Sequence, residues 1–262
     1  MSKPRGSSAP KSRSSVPPRE AELRIGTSGW HYSAWRGPFY PKGLAPKNFL
    51  SFYVEHFNTT EINNSFYRMP TENAVRTWHE AAPEGFLFAW KASRIITHLK
   101  RLKDVGENIA FVFERMNGLG SAFGPVLFQL PPSMAAKPEY LERLARCLGE
   151  IPRGRRCTFE FRHASWFEEK ALDILRAHNV ALCLSDHAAA PTPWIVTADF
   201  VYLRCHGKQG PYEGLYGRKT LQSWAPAIRQ WREEGRDVFV YFDNDYKSAA
   251  PKDAQTLIAL TG

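Results

Sequence analysis

Eight short apolar runs recur along this chain, each ending at a polar or charged side chain and most followed by a helical pattern. No other feature of the sequence limits the fold as strongly. The runs are Leu23–Thr27, Thr60–Asn63, Phe86–Lys91, Val126–Gln129, Cys157–Glu160, Ala181–Leu184, Phe200–Arg204 and Val238–Phe242. Between them, Lys47–His56, Val105–Leu119, Glu168–His178 and Ala250–Leu260 read as helices. Thr71 has the chemistry of an N-cap for a helix that Pro83 stops. In 138–150, Leu141, Leu144, Ala145 and Leu148 recur at helical spacing, and in 221–234, Trp224, Ile228 and Trp231 share one face. Strict strand–helix alternation over 262 residues predicts an α/β chain forming a single (β/α)8 TIM-type barrel, with a doubly wound open sheet as the competing topology. Pro191 and Pro193 leave little room for a helix after the sixth strand, so that helix is expected to be weak or missing.

Residues 1–20 are rich in Ser, Pro, Lys and Arg and are read as a disordered basic tail, with the barrel spanning 21–262. Residues 1–22 carry five basic and two acidic side chains. That is +3 of the net +9, and +6 remains on the barrel. A basic body suits an anionic ligand, although it equally describes a solvated surface. No run approaches the roughly 18 apolar residues of a membrane span, and no apolar stretch near the N-terminus resembles a secretory signal, so no membrane partner is expected. Cys147, Cys157, Cys183 and Cys205 are far apart and form no C-x-x-C pair, which points to a reducing, cytoplasmic setting. The oligomeric state is left open.

Charged groups at the strand ends carry the functional argument. Buried strand interiors should be apolar, because an unpaired buried charge is expensive. Polar groups repeated at C-terminal strand ends therefore converge on one barrel mouth, where barrel enzymes keep their sites. The set is Ser28 and Trp30 after strand one, Glu61 and Asn63 on strand two, Lys91 on strand three and Gln129 on strand four. It continues with Glu160, Arg162 and His163, then Asp186, then Arg204 and His206, then Asp243 and Asn244.

The motifs around these positions resemble one known family. They are Gly26-Thr27-Ser28-Gly29-Trp30-His31-Tyr32 with Trp35, Glu61-Ile62-Asn63 with Ser65-Phe66-Tyr67-Arg68, and Lys91 with Thr97-His98. Gln129-Leu130-Pro131-Pro132, Glu160-Phe161-Arg162-His163 with Ser165-Trp166-Phe167, and Arg204 with His206-Gly207 extend the likeness. Together they resemble the domain of unknown function family 72, also called YecE-like. The resemblance implies a TIM-type barrel and supplies no reaction. The chain departs from the pattern after strand eight: Asp243-Asn244 stands where two asparagines are expected, and Lys247-Ser248 where a more Gly-like turn is expected.

Three chemistries are open to this mouth. Glu160, Asp186, His206 and Asp243 could hold a divalent metal (Mn²⁺, Mg²⁺ or Zn²⁺) as cofactor. Their order resembles that in xylose-isomerase-like barrels, a fold-level analogy. The competing reading pairs Glu160 with Arg162 or Arg204. Glu61 and Glu160 could instead serve as general acid and base in glycoside cleavage, with His163 as an alternative proton carrier. Lys91 could form a Schiff base or clamp a phosphate. Trp30, Tyr32, Tyr67 and Trp166 present faces for sugars or bases, and Arg68, Arg162 and Arg204 could hold phosphate; Ser28, Asn63, Gln129 and Asn244 complete the ligand set. The leading expectation is an enzyme hydrolysing a phosphodiester or glycosidic bond in a small-molecule or nucleic-acid ligand with sugar and phosphate groups. A metal-dependent sugar isomerase or epimerase and a non-catalytic nucleic-acid-binding module are the alternatives.

Overall fold

The computed structural model describes residues 20–208 and 212–262; the predicted tail, apart from Glu20, lies outside the described residues. Eight strands are present: β1 (Leu23–Thr27), β2 (Thr59–Ile62), β3 (Leu87–Lys91), β4 (Phe123–Gln129), β5 (Cys157–Glu160), β6 (Ala181–Ser185), β7 (Phe200–Cys205) and β8 (Asp237–Phe242). They pair in parallel in the order β1-β8-β7-β6-β5-β4-β3-β2. A parallel bridge between Ser28 and Glu61 closes β1 onto β2, so the sheet is a barrel and the open-sheet alternative is set aside.

Outside the strands lie α1 (Phe49–Val54), α2 (Glu72–Ala81), α3 (Gly106–Asn117), α4 (Pro138–Gly149), α5 (Glu169–Ala177), α6 (Gly217–Glu233) and α7 (Ala249–Thr261). Thr71 caps α2 by accepting a hydrogen bond from the Ala74 amide at 3.2 Å. No helix forms between β6 and β7, as Pro191 and Pro193 predicted. Trp194 covers part of that wall, with its ring 5.5 Å from Trp231. Among the described residues, no helix is long and apolar enough to cross a membrane. All four cysteines are free and buried.

The β1–β2 seam is closed largely by side chains. The Asn58 amide accepts from Ile25 N at 3.3 Å and donates to Leu23 O at 3.0 Å. The Tyr53 hydroxyl accepts from Thr27 N at 2.8 Å and donates to Thr59 O at 3.1 Å. Buried backbone groups lacking a ladder partner thereby regain one. Gly26 permits the approach, since a Cβ there would lie 2.1 Å from the Thr59 carbonyl oxygen.

Side chains alternate along each strand. Phe88, Trp90, Phe128, Phe159, Leu203 and Val240 belong to the large outer core, with the helix faces. Ala89, Leu127, Cys183, Phe200, Tyr202, Phe239 and Tyr241 form a separate cluster that fills the barrel interior. Continuing that inner parity by two residues reaches Lys91, Gln129, Ser185, Arg204 and Asp243. The fold thus carries each strand from an apolar inner layer into the polar mouth.

Candidate functional site

Arg204 is the centre of the mouth. Its side chain is fully buried and engages three carboxylates from three other strands or strand ends. Nη2 lies 2.8 Å from Glu61 Oε1 and 2.9 Å from Asp243 Oδ2, and Nη1 lies 2.8 Å from Glu160 Oε2. Glu61 also accepts from Ser28 Oγ at 2.7 Å and from the Tyr202 hydroxyl at 2.6 Å. Glu160 accepts from Ser185 Oγ at 3.1 Å, and its Oε1 is 2.8 Å from both Arg162 Nη2 and His206 Nε2. His206 Nδ1 sits 3.1 Å from Asp243 Oδ2. The sequence's competing expectation, Glu160 paired with Arg162 or Arg204, is realised with both arginines.

These contacts shift the titrating groups. Burial raises the Glu160 carboxyl, but Arg204, Arg162 and His206 outweigh it and hold it well below the usual range. Burial likewise raises Asp243, and Arg204 and the hydrogen-bonded His206 pull it down. Burial lowers His206, while Glu160 and Asp243 raise it further, so the imidazole sits above its ordinary value.

Lys91 is different. Its ammonium stands 4.6 Å from the Phe66 ring centroid and, among the described residues, makes no hydrogen bond or close ion pair. Burial, then Arg204, bring it down to about 8, against the pull of Glu160, Asp243 and Glu61. His98, on a π-helical turn (Ile95–Leu99), faces Phe66 with ring centroids 5.0 Å apart. Burial, then Lys91, Arg94 and Arg162, press it down to about 4. His187 falls to about 4 through burial, then Arg162 and His206. Both histidines flanking the mouth are thus depressed by a surplus of nearby cations as well as by burial.

The metal set does not assemble. Glu160, His206 and Asp243 converge on the Arg204 guanidinium, a permanent cation at their common focus. Asp186 turns aside: it accepts from the His206 amide at 2.7 Å and from the Tyr216 hydroxyl. No group of three or more His, Cys, Asp or Glu among the described residues is placed to hold a metal ion. The four residues do not fit a divalent cation, and the metal expectation is corrected.

Other predicted residues serve the fold. His163 is exposed and caps the 3-10 turn Ala164–Phe167 by accepting from the Ser165 amide, outside the Arg204 network. Trp166 is buried, donates to Met134 O at 2.6 Å and stacks on Phe161. Trp30 packs edge-on to Trp78 in the outer core. Asn244 ties Gly214 O and Asp253 Oδ2 together, both at 2.8 Å. Tyr67 is 74% exposed and Arg68 is exposed, both outside the network.

Tyr32 donates to Ser28 O at 2.7 Å, and Gln129 Oε1 lies 3.5 Å from Arg162 Nη2. Asn63 Oδ1 and Arg162 Nε are buried without a hydrogen-bond partner among the described residues. The strand-end reading did not name Tyr202 or Ser185, and it gave His98 of the Thr97-His98 motif no role in the ligand set. Tyr202 was within reach, because it shares the parity of β7 with Arg204.

The sequence pattern described as "Protein of unknown function DUF72" matches residues 24–262. The chain is 27% identical over 274 residues to UPF0759 protein YunF of Bacillus subtilis (strain 168), covering 91% of this chain and 94% of that protein. It is 25% identical over 236 residues to UPF0759 protein YecE of Escherichia coli (strain K12), covering 80% and 82%. The crystal structure of a DUF72 family protein from Thermotoga maritima MSB8 matches with a TM-score of 0.84 at 26% identity, covering 91% of this chain and 98% of that one. Since the family pattern spans nearly all of the described barrel, the chain belongs to the DUF72 family.

Proposed function

We propose that this protein is an enzyme that binds a small anionic, hydroxyl-bearing substrate in the barrel mouth and moves a proton with Lys91. One observation carries the reading: Glu61, Glu160 and Asp243 are all engaged by Arg204, whereas the Lys91 ammonium has no hydrogen-bonding partner among the described residues. The Lys91 side chain is half-buried and its ammonium faces the mouth without a protein acceptor among the described residues, so an anionic guest can engage it. The unpaired Arg162 Nε adds a second donor, and the unpaired Asn63 Oδ1 an acceptor for a substrate hydroxyl. The depressed histidines support an anion over a cation as the guest.

The two-carboxylate scheme for glycoside cleavage loses support, because Glu61 and Glu160 are wholly buried beneath their partners. Hydrolysis then runs through Lys91. Its free amine takes a proton from the attacking water as the new bond to the substrate forms. The resulting ammonium returns that proton to the departing oxygen as the ester or glycosidic bond breaks, and Arg162 stabilises the negative charge that develops on the substrate. A value of about 8 leaves both forms of Lys91 populated near neutrality, as a proton carrier requires.

The test is calorimetric titration with inorganic phosphate, followed by turnover of bis(4-nitrophenyl) phosphate and 4-nitrophenyl hexopyranosides. The wild type is expected to bind phosphate, and Lys91→Met and Arg162→Met to lose that binding. At saturating substrate, turnover should rise as pH increases through about 8, where the amine becomes free to act as the base, while the affinity for phosphate, which the ammonium holds, falls over the same range. Equal phosphate affinity in the wild type and both variants would end this reading.

A further inference from the structure

Beside the charge network, Tyr32, Pro38, Tyr212, Asp245 and Tyr246 wall a cavity of about 510 Å³. It adjoins the network through Tyr212, whose ring stands 5.9 Å from that of His206 at 71°. Tyr212 and Tyr246 are 44% and 53% exposed.

The backbone holding these rings is tied down. Tyr212 N donates to His206 O at 2.7 Å, Tyr246 N to Tyr212 O at 3.3 Å, and Trp35 Nε1 to Asp245 O at 3.0 Å. Yet Tyr212, Lys247 and Ser248 hold φ of 67°, 52° and 59°. Left-handed backbone is costly for residues with a Cβ and persists where its surroundings impose it, commonly beside ligands.

We propose that this cavity is a saccharide subsite that receives the pyranose ring of the substrate, while the substrate's anionic group lies on Lys91 and Arg162. The anionic half rests on the function proposed above; the ring half does not. The C–H face of a pyranose is apolar and weakly positive, and the face of a tyrosine ring is negative, so the two stack. Asp245 supplies the carboxylate that adjacent ring hydroxyls donate to. Burial, then Asp243, bring it up to about 6, so it is still mainly ionised at neutral pH.

A phosphate would be misplaced here. Asp245 and Glu213 line the cavity, and Lys247 folds over Tyr246 with Nζ 5.2 Å from the ring centroid. Charge therefore divides the mouth into a cationic part at Lys91 and an aromatic, acidic part at Tyr212 and Tyr246.

Saturation-transfer NMR on the full chain tests the proposal, with the methyl glycosides of glucose, galactose and mannose and the nucleosides adenosine and uridine as probes. At least one methyl glycoside should receive saturation on its ring protons. That transfer should vanish in a Tyr212→Ala/Tyr246→Ala double variant with unchanged circular dichroism, and return with Tyr212→Phe/Tyr246→Phe. If the double alanine variant does not fold, Tyr246→Ala alone must weaken the transfer. Transfer that survives these alanine variants, or none to any methyl glycoside, would overturn the subsite, and transfer to nucleosides alone would overturn the saccharide assignment. Lys91→Met separates the two proposals. It should abolish phosphate binding and leave methyl glycoside transfer in place, so loss of phosphate binding from the wild type with transfer intact sinks only the anion reading.

Discussion

The two ends of the barrel interior are equally dry and differ in every other respect. Phe200 and Phe239 at the N-terminal end and Arg204 at the C-terminal end are each 1% exposed. The first end is filled by Ala89, Leu127, Ala181, Phe200 and Phe239. The second is filled by one guanidinium and the three carboxylates it engages. Apolar burial stabilises at about 25 cal/mol per Å² wherever it occurs. Buried ion pairs do not: desolvation offsets most of the attraction, and apolar replacements are often neutral or better. Stability therefore accounts for the first end and not the second. The charged end is understood as a rigid, ion-paired floor that sets the position and potential of Lys91.

The sharpest way to break this comparison is to remove one group from each end. Arg204→Met leaves three buried carboxylates without their shared partner and should cost at least about 3–5 kcal/mol. Tyr241→Phe, which removes from the uncharged interior cluster one hydroxyl, paired with Thr59 at 2.7 Å, should cost about 1 kcal/mol. Urea unfolding measures both. Equal midpoints for the two variants would show that the charged end is no more interdependent than the apolar one.

A pH series sharpens the same contrast. Glu160 and Asp243 lie below their ordinary values of 4.5 and 3.8, so they contribute stability above those values that is lost as pH falls through the depressed ones. His206 lies above 6.5, so its contribution is complete below 6.5 and lost as pH rises through its raised value. Stability should form a plateau bounded on both sides. In Glu160→Gln, destabilised by about 2 kcal/mol, both flanks should shrink, since this carboxylate helps to cause both shifts. Flanks that are unchanged would place the titration elsewhere in the molecule.

A smaller effect is expected from Tyr202→Phe, which deletes the 2.6 Å hydrogen bond to Glu61 from the layer between the two ends. A loss of about 1.5 kcal/mol in chemical unfolding is expected for a bond to a charged acceptor.

The smallest effect on stability belongs to Lys91→Met, within about 1 kcal/mol, because no hydrogen bond among the described residues is lost and the half-buried stem keeps its packing. Its effect on phosphate binding should be complete. In the wild type that binding should fall as pH rises through about 8, where Lys91 loses its proton. A Lys91→Met protein as destabilised as Glu160→Gln would make Lys91 part of the floor.

Much of this was legible in the chain. The ends of the strands are a local property of the sequence, and their polar groups carried Glu61, Lys91, Glu160, Arg204, His206 and Asp243 to one mouth. Pro191 and Pro193 announced the missing helix for an equally local reason, the absent amide and the fixed φ. His163 and Trp166 sit beside the strand-end motif, and adjacency in sequence made them look like site residues. The turn after β5 aims one at its own backbone and the other into the core.

What the sequence determined by itself was which residues face inward and which end of the barrel they reach, because alternation and turn chemistry act over a few residues. Which groups meet was decided only by closure of the barrel. Arg204 and Glu61 lie 143 positions apart and touch because the stagger of eight strands brings them to one level. That stagger brought a guanidinium to the focus of three carboxylates, left the Lys91 ammonium without a hydrogen-bonding partner among the described residues and set Tyr212 beside His206. Each is a distance across the barrel, and no spacing along the chain records it.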